Sequence, residues 1–191
     1  MKLKMNIVFV VLMFVFLLPM SASAWYYAIG GGGGGEADAT NFSTSIGKED
    51  IQIGDWTAIA AVTVPLILHG SDNVPSSTSD SSCPHGNCSS IGSKEDGTEV
   101  GLIGSFGVEL FDWSTHVSLL TGVTRVNMVE VSQSNTNPGT YYKEGEDTEY
   151  NLLYGLGVSY TPVFFEWKLK MIFSLELDNR RGLTGMVGWC W

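Results

Sequence analysis

The chain has 191 residues, a formal net charge of −10, and a composition that is 44% hydrophobic and only 16% charged. This length suits a single domain, and the apolar content argues against a disordered chain or a coiled coil. The acidic balance would repel phosphate backbones, so no nucleic acid is expected as a partner. Beyond the N-terminal segment, the sequence has no run of about 18 apolar residues that could form a membrane-spanning helix.

The N-terminal segment Met1 to Ala24 is organised like a secretory signal peptide. Lys2 and Lys4 precede an apolar core from Ile7 to Leu18, and small residues end the segment. An apolar core of this length spans only about 18 Å at 1.5 Å per residue, too little for a hydrocarbon layer of about 30 Å. The sequence therefore predicts cleavage after Ala24 and export of residues 25–191 to a compartment that permits disulfides.

Alternation of apolar and polar residues with period two predicts four clear strands. From Glu149 to Thr161 the even positions are large and mostly apolar, while the odd positions are mainly small or polar. The same alternation recurs from Val163 to Asp178, from Glu99 to Leu110 and from Leu183 to Trp191. A period of two is typical of strands that bury one face.

Four further strands follow from weaker patterns in Trp25 to Ile29, Thr40 to Gly54, Trp56 to Leu68 and Ser114 to Val131. In the last of these the alternation changes phase near Thr124, which indicates a bulge. The glycine run that follows Ile29 is interpreted as a strand end and turn. The chain is therefore predicted to be all-β with eight strands.

The predicted connections alternate between short turns and long polar loops. The long ones are residues 69–97 and 132–147, and the short ones include the turns near Gly54 and after Thr161. Transmembrane barrels show this asymmetry, with short turns on one side and longer loops on the other. The predicted architecture is an eight-stranded antiparallel up-and-down transmembrane β-barrel over residues 25–191.

The composition of the two strand faces bears on whether such a barrel lies in lipid or in water. A soluble barrel of the lipocalin type would fill its polar face with Lys, Glu, Asn and Gln, whereas several strands here carry Gly and Ser on that face. Aromatic residues gather toward strand ends, as in the interfacial girdles of membrane barrels. These features favour the membrane barrel over the soluble one.

The signal peptide, the eight amphipathic strands and the aromatic end at Trp189 and Trp191 together resemble small bacterial outer-membrane β-barrels of the OmpA-like and OmpX-like kind, in the wider porin family. The resemblance implies a monomer in the outer membrane, in contact with membrane lipid and lipopolysaccharide. It also implies insertion by the barrel-assembly machinery, with Leu183 to Trp191 as the recognised strand. The family pattern prefers Gly five residues before the terminal aromatic, where this chain has Met186.

The segment Cys83 to Cys88 is the most local chemical signal. Two cysteines around His85 would suit zinc, but a fourth ligand is not evident nearby except His69. In an exported polar loop with Pro and Gly between the cysteines, a disulfide is the favoured prediction, and no metal is expected. Cys190 should then be free and should point into the barrel.

Charged residues on the polar faces of the predicted strands are expected in the barrel interior. They are Glu99, Glu109, Arg125, Glu149, Glu166, Lys168, Lys170 and Glu176. Charges enclosed in a narrow barrel must be paired, so a salt-bridged structural filling is the favoured interpretation and a charged pore is the alternative. Arg180 and Arg181 are interpreted as solvated turn charges, with lipopolysaccharide phosphates as the alternative role.

No catalytic site or cofactor is predicted. Barrel-type lipid A deacylases carry a His-x-Ser-Asn stretch, and none of His69, His85 and His116 is followed by it. The glycine run has no following Lys-Ser/Thr and so does not make a phosphate cradle. The predicted function is an envelope-structural or surface-loop interaction role, and the alternatives are a narrow passive channel for small solutes and a soluble periplasmic ligand-binding barrel.

Overall fold

A computed structural model describes residues 24–69, 74–75, 78–79, 82–83, 87–110, 114–164 and 169–191. The described chain is all-β, in line with the predicted class. Its strands, in chain order, are β1 Trp25–Gly34, β2 Ala39–Ile53, β3 Trp56–Leu68, β4 Thr78–Ser79, β5 Cys88–Glu109, β6 Thr115–Ser134, β7 Tyr141–Tyr160, β8 Val163–Phe164, β9 Leu169–Asp178 and β10 Gly182–Cys190. Residues 1–23 of the predicted leader lie outside the described residues.

Eight of these strands form a hydrogen-bonded ring. Neighbours in the order β1, β2, β3, β5, β6, β7, β9 and β10 pair antiparallel, and β10 pairs with β1 to close the circle. The two-residue strand β4 runs parallel to the start of β7, and β8 pairs with β9. The number of long strands and their order match the prediction from alternation. The predicted strand from Val163 to Asp178 is not continuous, however, because Val163 and Phe164 form β8, which pairs antiparallel with the start of β9 at Leu169 and Lys170.

The ring has two ends that carry different connections. We call the end with Trp25, the Gly54–Asp55 turn and Trp191 the proximal end, and the end with residues 35–38, His69 and residues 179–181 the distal end. At the proximal end Trp25 and Trp191 exchange backbone hydrogen bonds of 3.1 and 2.9 Å. The first and last residues of the ring are thus joined directly.

Side chains alternate between the interior of the ring and its outer face. In β10, Thr184, Met186 and Cys190 are buried, while Leu183 and Val187 are exposed. Small and aliphatic side chains fill the interior near mid-height, including Ala28, Ala61, Ile59, Ile172 and Met186. Cys190 is free and buried, as predicted.

The glycine run belongs to strand β1, which corrects its interpretation as a turn. Pairing with β10 continues through Gly33 and pairing with β2 through Gly34. A Cβ atom on Gly30 would lie 1.9 Å from the carbonyl oxygen of Gly185, and one on Gly32 would lie 1.8 Å from that of Leu183. The run is glycine because β1 approaches β10 too closely for side chains, as at a tight bend of a curved sheet.

Strands β5, β6 and β7 are much longer than the others. They have 22, 20 and 20 residues, whereas β9 and β10 have 10 and 9. Their distal parts, residues 88–97, 126–134 and 141–149, form a unit that we call the extension. The loops are therefore shorter than the expected 69–97 and 132–147, because antiparallel pairing continues into both segments.

The phase change in β6 lies later than Thr124. Val126 is fully buried, on the same face as Thr124, and the irregular alternation begins beyond it. The extra residues lie instead in β5, between Asp96 and Val100, where Gly97 has a φ of 75°. A second irregularity occurs opposite Glu130 and Val131.

Within the part of the chain that the structure covers, no helix has the length and apolar character needed to cross a membrane.

Candidate functional site

The guanidinium of Arg181 occupies the interior of the ring at its distal end. The three-residue turn between β9 and β10 directs this side chain inward, and the residue is fully buried. Its Nε donates to Asp178 Oδ2 at 2.7 Å, one terminal nitrogen to Glu176 Oε2 at 2.5 Å and the other to Ser43 Oγ at 2.9 Å. Two carboxylates therefore neutralise one buried cation with good hydrogen-bond geometry.

Neighbouring polar groups hold this arrangement in place. Asp178 Oδ1 accepts hydrogen bonds from the backbone nitrogens of Arg180 and Arg181 at 3.0 and 2.6 Å. Asn41 donates to the carbonyl oxygen of Arg181 and accepts from Thr184 Oγ1, both at 3.2 Å. The turn, β2 and β10 are thereby linked through buried side chains.

Arg180 forms a second cluster beside the first. Its Nε lies 2.8 Å from Glu99 Oε1, and a terminal nitrogen lies 2.7 Å from Glu99 Oε2 and also donates to Glu95. Burial opposes the charged guanidinium, but the hydrogen bonds to Glu99 and Glu95 prevail and hold the pKa of Arg180 above its ordinary value. Because Glu95 belongs to the extension, this cluster ties the extension to the ring.

His69, at the end of β3, completes the Arg180 cluster. Its Nε2 lies 2.8 Å from Glu99 Oε2 and its Nδ1 lies 3.3 Å from Glu95 Oε2. The ligand atoms of His69, Glu95 and Glu99 all lie within 4.8 Å of one another, a spacing that could surround a metal ion. Arg180 already contacts both carboxylates as their cation, so the arrangement is an ion-paired cluster rather than an open coordination site.

A third group of charges lies near the proximal end. Lys170 Nζ is 3.0 Å from Glu49 Oε1 and 2.8 Å from Asp50 Oδ2. Glu49 is fully buried and Lys170 partly so. Lys170 therefore balances part of the negative charge of Glu49 and Asp50, at the end of the ring opposite Arg180 and Arg181.

Three of the predicted interior charges lie inside the ring with partners of opposite charge, namely Glu99, Glu176 and Lys170. Glu109 lies at the proximal end, where its Oε1 accepts a hydrogen bond from the nitrogen of Ser114 at 2.9 Å. Glu166 and Lys168 lie outside the described residues.

The structure places Arg125 and Glu149 elsewhere than predicted. Arg125 is exposed on the outer face, in register with the exposed Val100 and Tyr150, because β6 keeps its phase past this position. Glu149 is exposed because it pairs with Val126 in the extension, beyond the ring. The misplacement of Arg125 follows from the position of the bulge, which the alternation in β6 alone set too early, whereas that of Glu149 follows from the length of β7, which continues beyond the ring.

Arg180 and Arg181 are the main residues that the sequence reasoning missed. They are buried at 4% and 0% exposure rather than solvated in the turn. The available signal was the excess of carboxylates on the inner faces of the strands, which requires cations from somewhere in the fold.

The disulfide between Cys83 and Cys88 is present, with a Cα–Cα distance of 6.2 Å. Cys88 is the first residue of β5 and pairs with Ser134 of β6. The backbone nitrogen of Asn135 also donates to the carbonyl oxygen of Asn87 at 3.0 Å. The disulfide therefore attaches the preceding loop to the tip of the extension, while His85 lies outside the described residues.

A small cavity lies in the interior near mid-height. Its volume is about 20 Å³, and its lining includes Tyr26, Ser105, Ser118, Ser159 and Glu176. A polar space of this size suits one water molecule. Side chains thus fill the ring at this level.

Comparison of the chain with protein-family models and with curated protein sequences finds no match.

Proposed function

We propose that this chain is an outer-membrane β-barrel whose ring crosses the bilayer and whose role is structural or surface contact rather than catalysis. The observation that carries the proposal is the apolar outer face of the ring. Every ring strand exposes at least one large apolar side chain, for example Ile29, Phe42, Leu66, Phe106, Leu119, Leu156, Leu175 and Val187. Such a continuous surface would drive association in water but suits contact with lipid chains.

The backbone of the ring supports the same proposal. In hydrocarbon every backbone donor and acceptor must be paired within the protein, and a closed sheet without edges meets that demand. The strands β1, β9 and β10 have 10, 10 and 9 residues, against about 9–11 needed for a tilted strand to cross a bilayer. The lengths of these strands and the apolar outer face of the ring therefore both support a ring that crosses a bilayer.

Aromatic residues near the proximal end support a fixed depth in the membrane. Tyr27 and Trp189 pack with ring centroids 5.3 Å apart, and Trp56, Tyr160 and Trp191 are exposed near the same end. Aromatic rings of this kind favour the boundary between lipid chains and headgroups. We infer that the proximal end lies at the periplasmic surface and that Met1 to Ala24 acts as the export signal.

The charge clusters favour a closed interior over the alternative of a passive channel. Arg180, Arg181 and their carboxylates cross the distal end of the ring, and the interior cavity is about 20 Å³. Moving these charges apart would leave unpaired ions in a poorly solvated space. We therefore expect no steady conductance through the folded protein.

The extension supports a role in surface contact. It carries seven carboxylates and two lysines, namely Glu95, Asp96, Glu130, Glu144, Glu146, Asp147, Glu149, Lys94 and Lys143. Functional contacts concentrate on segments that a rigid scaffold displays. In this proposal membrane lipid and lipopolysaccharide surround a monomeric ring inserted by the barrel-assembly machinery, and the acidic extension faces the cell exterior.

Refolding of residues 25–191 tests the proposal. The chain is transferred from urea into detergent micelles or phospholipid vesicles, and boiled and unboiled samples are compared by electrophoresis in SDS. We expect the unboiled protein to migrate as a separate compact form, because a closed ring resists SDS. Identical mobility, together with solubility in the absence of detergent, would instead support the soluble ligand-binding barrel.

Single-channel recording in planar bilayers then separates the two membrane roles. The filled interior predicts no discrete conductance steps from the compact form. Reproducible steps from protein that has passed the electrophoretic assay would support the channel and contradict the structural role.

A further inference from the structure

The imidazole of His116 is enclosed in the interior of the ring near its proximal end. His116 is the second residue of β6 and is 1% exposed. Its cross-strand neighbours are Glu109 of β5 and Ser159 of β7. Neither Nδ1 nor Nε2 of His116 has a hydrogen-bond partner among the described residues, and the buried Oγ of Ser159 has none either. The ring therefore contains a titratable side chain that no protein donor or acceptor holds in a charged form.

Charged groups approach His116 from three other strands. Glu109 of β5, Asp50 of β2 and Lys170 of β9 lie close enough to act on its charge. In the part of the chain that the structure covers, the titratable groups next to these are Tyr26 of β1, Glu49 of β2 and Cys190 of β10. Two carboxylates thus attract a proton on His116 and Lys170 repels it, so the outcome depends on whether those carboxylates are available as partners.

Both carboxylates are already engaged with other donors. Glu109 Oε1 accepts a hydrogen bond of 2.9 Å from a backbone nitrogen of the adjoining turn. Asp50 Oδ2 accepts one of 2.8 Å from Lys170 Nζ, which also lies 3.0 Å from Glu49 Oε1. An imidazolium at His116 would therefore be a buried cation without a hydrogen-bond acceptor, and burial of an unpaired charge is strongly unfavourable.

We propose that His116 makes closure of the ring sensitive to protons, because the closed ring encloses only the neutral imidazole whereas the open chain accepts a proton there. In the unfolded chain this proton binds near the ordinary histidine pKa of about 6.5. Since the unfolded state then holds one more proton than the folded state, the stability of the ring is complete above that pH and falls as the pH drops through it. The inference depends on the closed ring and not on its placement in a membrane.

The test compares the pH dependence of folding in the wild type and in His116→Leu. Urea titrations give the equilibrium constant for folding at pH 7.5 and pH 5.5, in detergent micelles or, for a protein soluble without detergent, in buffer. Between these two values the constant should fall about tenfold more in the wild type than in the variant. At pH 7.5 the variant should be close to the wild type, because leucine removes two unpartnered nitrogens along with the titration.

His69 supplies the control, because it is a second histidine and lies at the distal end beside Glu99. His116→Leu is therefore also made in a His69→Gln background. The two sites are at opposite ends of the ring and share no partner, so their effects should be additive and the same tenfold difference should appear. A pH effect of His116→Leu that disappears in the His69→Gln background would assign the effect to the distal cluster and overturn the proposal.

A measurement on the wild type alone covers the case in which His116→Leu does not fold. The imidazole resonances of His116 in the folded protein are followed by NMR from pH 7.5 to pH 5.5 and should keep the shifts of the neutral form throughout. An imidazole that takes up a proton while the ring stays folded would overturn the proposal. Equal pH dependence of folding in the wild type and His116→Leu would overturn it as well.

Discussion

The three long strands β5, β6 and β7 contribute to both the ring and the extension, yet the two regions bury different amounts of them. In the ring, inner residues such as Ile103 and Leu153 are fully buried, and the outer neighbours of Leu153 are exposed. In the extension, residues 88–97 of β5 are exposed or half-buried throughout. Ring strands have a partner on each side, whereas in the described chain β5 pairs with β6 alone over Cys88–Asp96. In the extension only β6, which lies between β5 and β7, keeps fully buried side chains, such as Val126, Val129 and Val131, whereas closure of the sheet buries the inner face of all three strands in the ring.

The two regions also use charge differently. Arg181 and Asp178 pair with side chains that are both 0% exposed, whereas Lys143 and Asp96 in the extension pair at 3.0 Å with side chains 24% and 35% exposed. Breaking a buried pair leaves an uncompensated charge, while an exposed pair is screened by water. Loss of a buried ion pair in the ring is therefore expected to lower the free energy of unfolding more than loss of an exposed pair in the extension.

The sharpest test of this difference is to remove one cation from each region. Arg181→Met leaves Glu176 and Asp178 buried without their partner and should lower the free energy of unfolding by about 3–5 kcal/mol. Lys143→Met removes the cation of an exposed pair and should cost less than about 1 kcal/mol. Urea titrations of the vesicle-inserted protein, followed by tryptophan fluorescence, measure both. Matching midpoints would mean that burial does not distinguish the two regions.

The next test concerns the outer face of the ring. Leu175 lies near the middle of β9, so Leu175→Arg should destabilise the inserted ring by about 2–4 kcal/mol, the penalty for Arg at the bilayer midplane. Met171 lies near the proximal end of the same strand, in register with Trp189. Met171→Arg should therefore cost clearly less in the same vesicle titration. If Met171→Arg were the more damaging change, the assigned depth would be wrong.

A third test addresses the close approach of β1 and β10. Gly30→Ala places a methyl group where the carbonyl oxygen of Gly185 lies, so we expect a loss of about 1–3 kcal/mol from overpacking. Gly185→Ala, on the facing strand, has room for its methyl group and should change stability little. Both variants are compared by urea titration in detergent micelles. An unchanged free energy of unfolding in Gly30→Ala would show that β1 and β10 can move apart at little cost in stability.

The smallest effect on the ring is expected from the disulfide. Reduction of Cys83–Cys88, or its replacement by serines, should leave the urea midpoint of the ring nearly unchanged because the bond lies at the tip of the extension. Amide hydrogen exchange should rise at residues 88–90 and 132–134, since the extension opens separately from the ring. A matched serine variant of the free, buried Cys190 supplies the contrast. Loss of the whole ring on reduction would contradict the separation of the two regions.

Local alternation determined much of this fold. Period two in the segments around Tyr150, Leu175 and Val187 predicted which side chains face outward, because a strand places successive side chains on opposite faces whatever its partners are. The same rule placed Glu99, Glu176 and Cys190 in the interior. The disulfide was also predictable, since only five positions separate its two cysteines.

Tertiary pairing decided the features that no local pattern contains. Gly30 to Gly34 are in a strand because β10 and β2 hydrogen-bond to them on both sides. Arg180 and Arg181 are buried because ring closure places them against Glu99 and Ser43, which lie 81 and 138 residues away in the chain. From the sequence alone, a cation in a turn is expected to be solvated. Here the cations are buried because ring closure brings those side chains to them. The sequence by itself determined the alternation of faces, and only the closed ring determined which charges meet inside it.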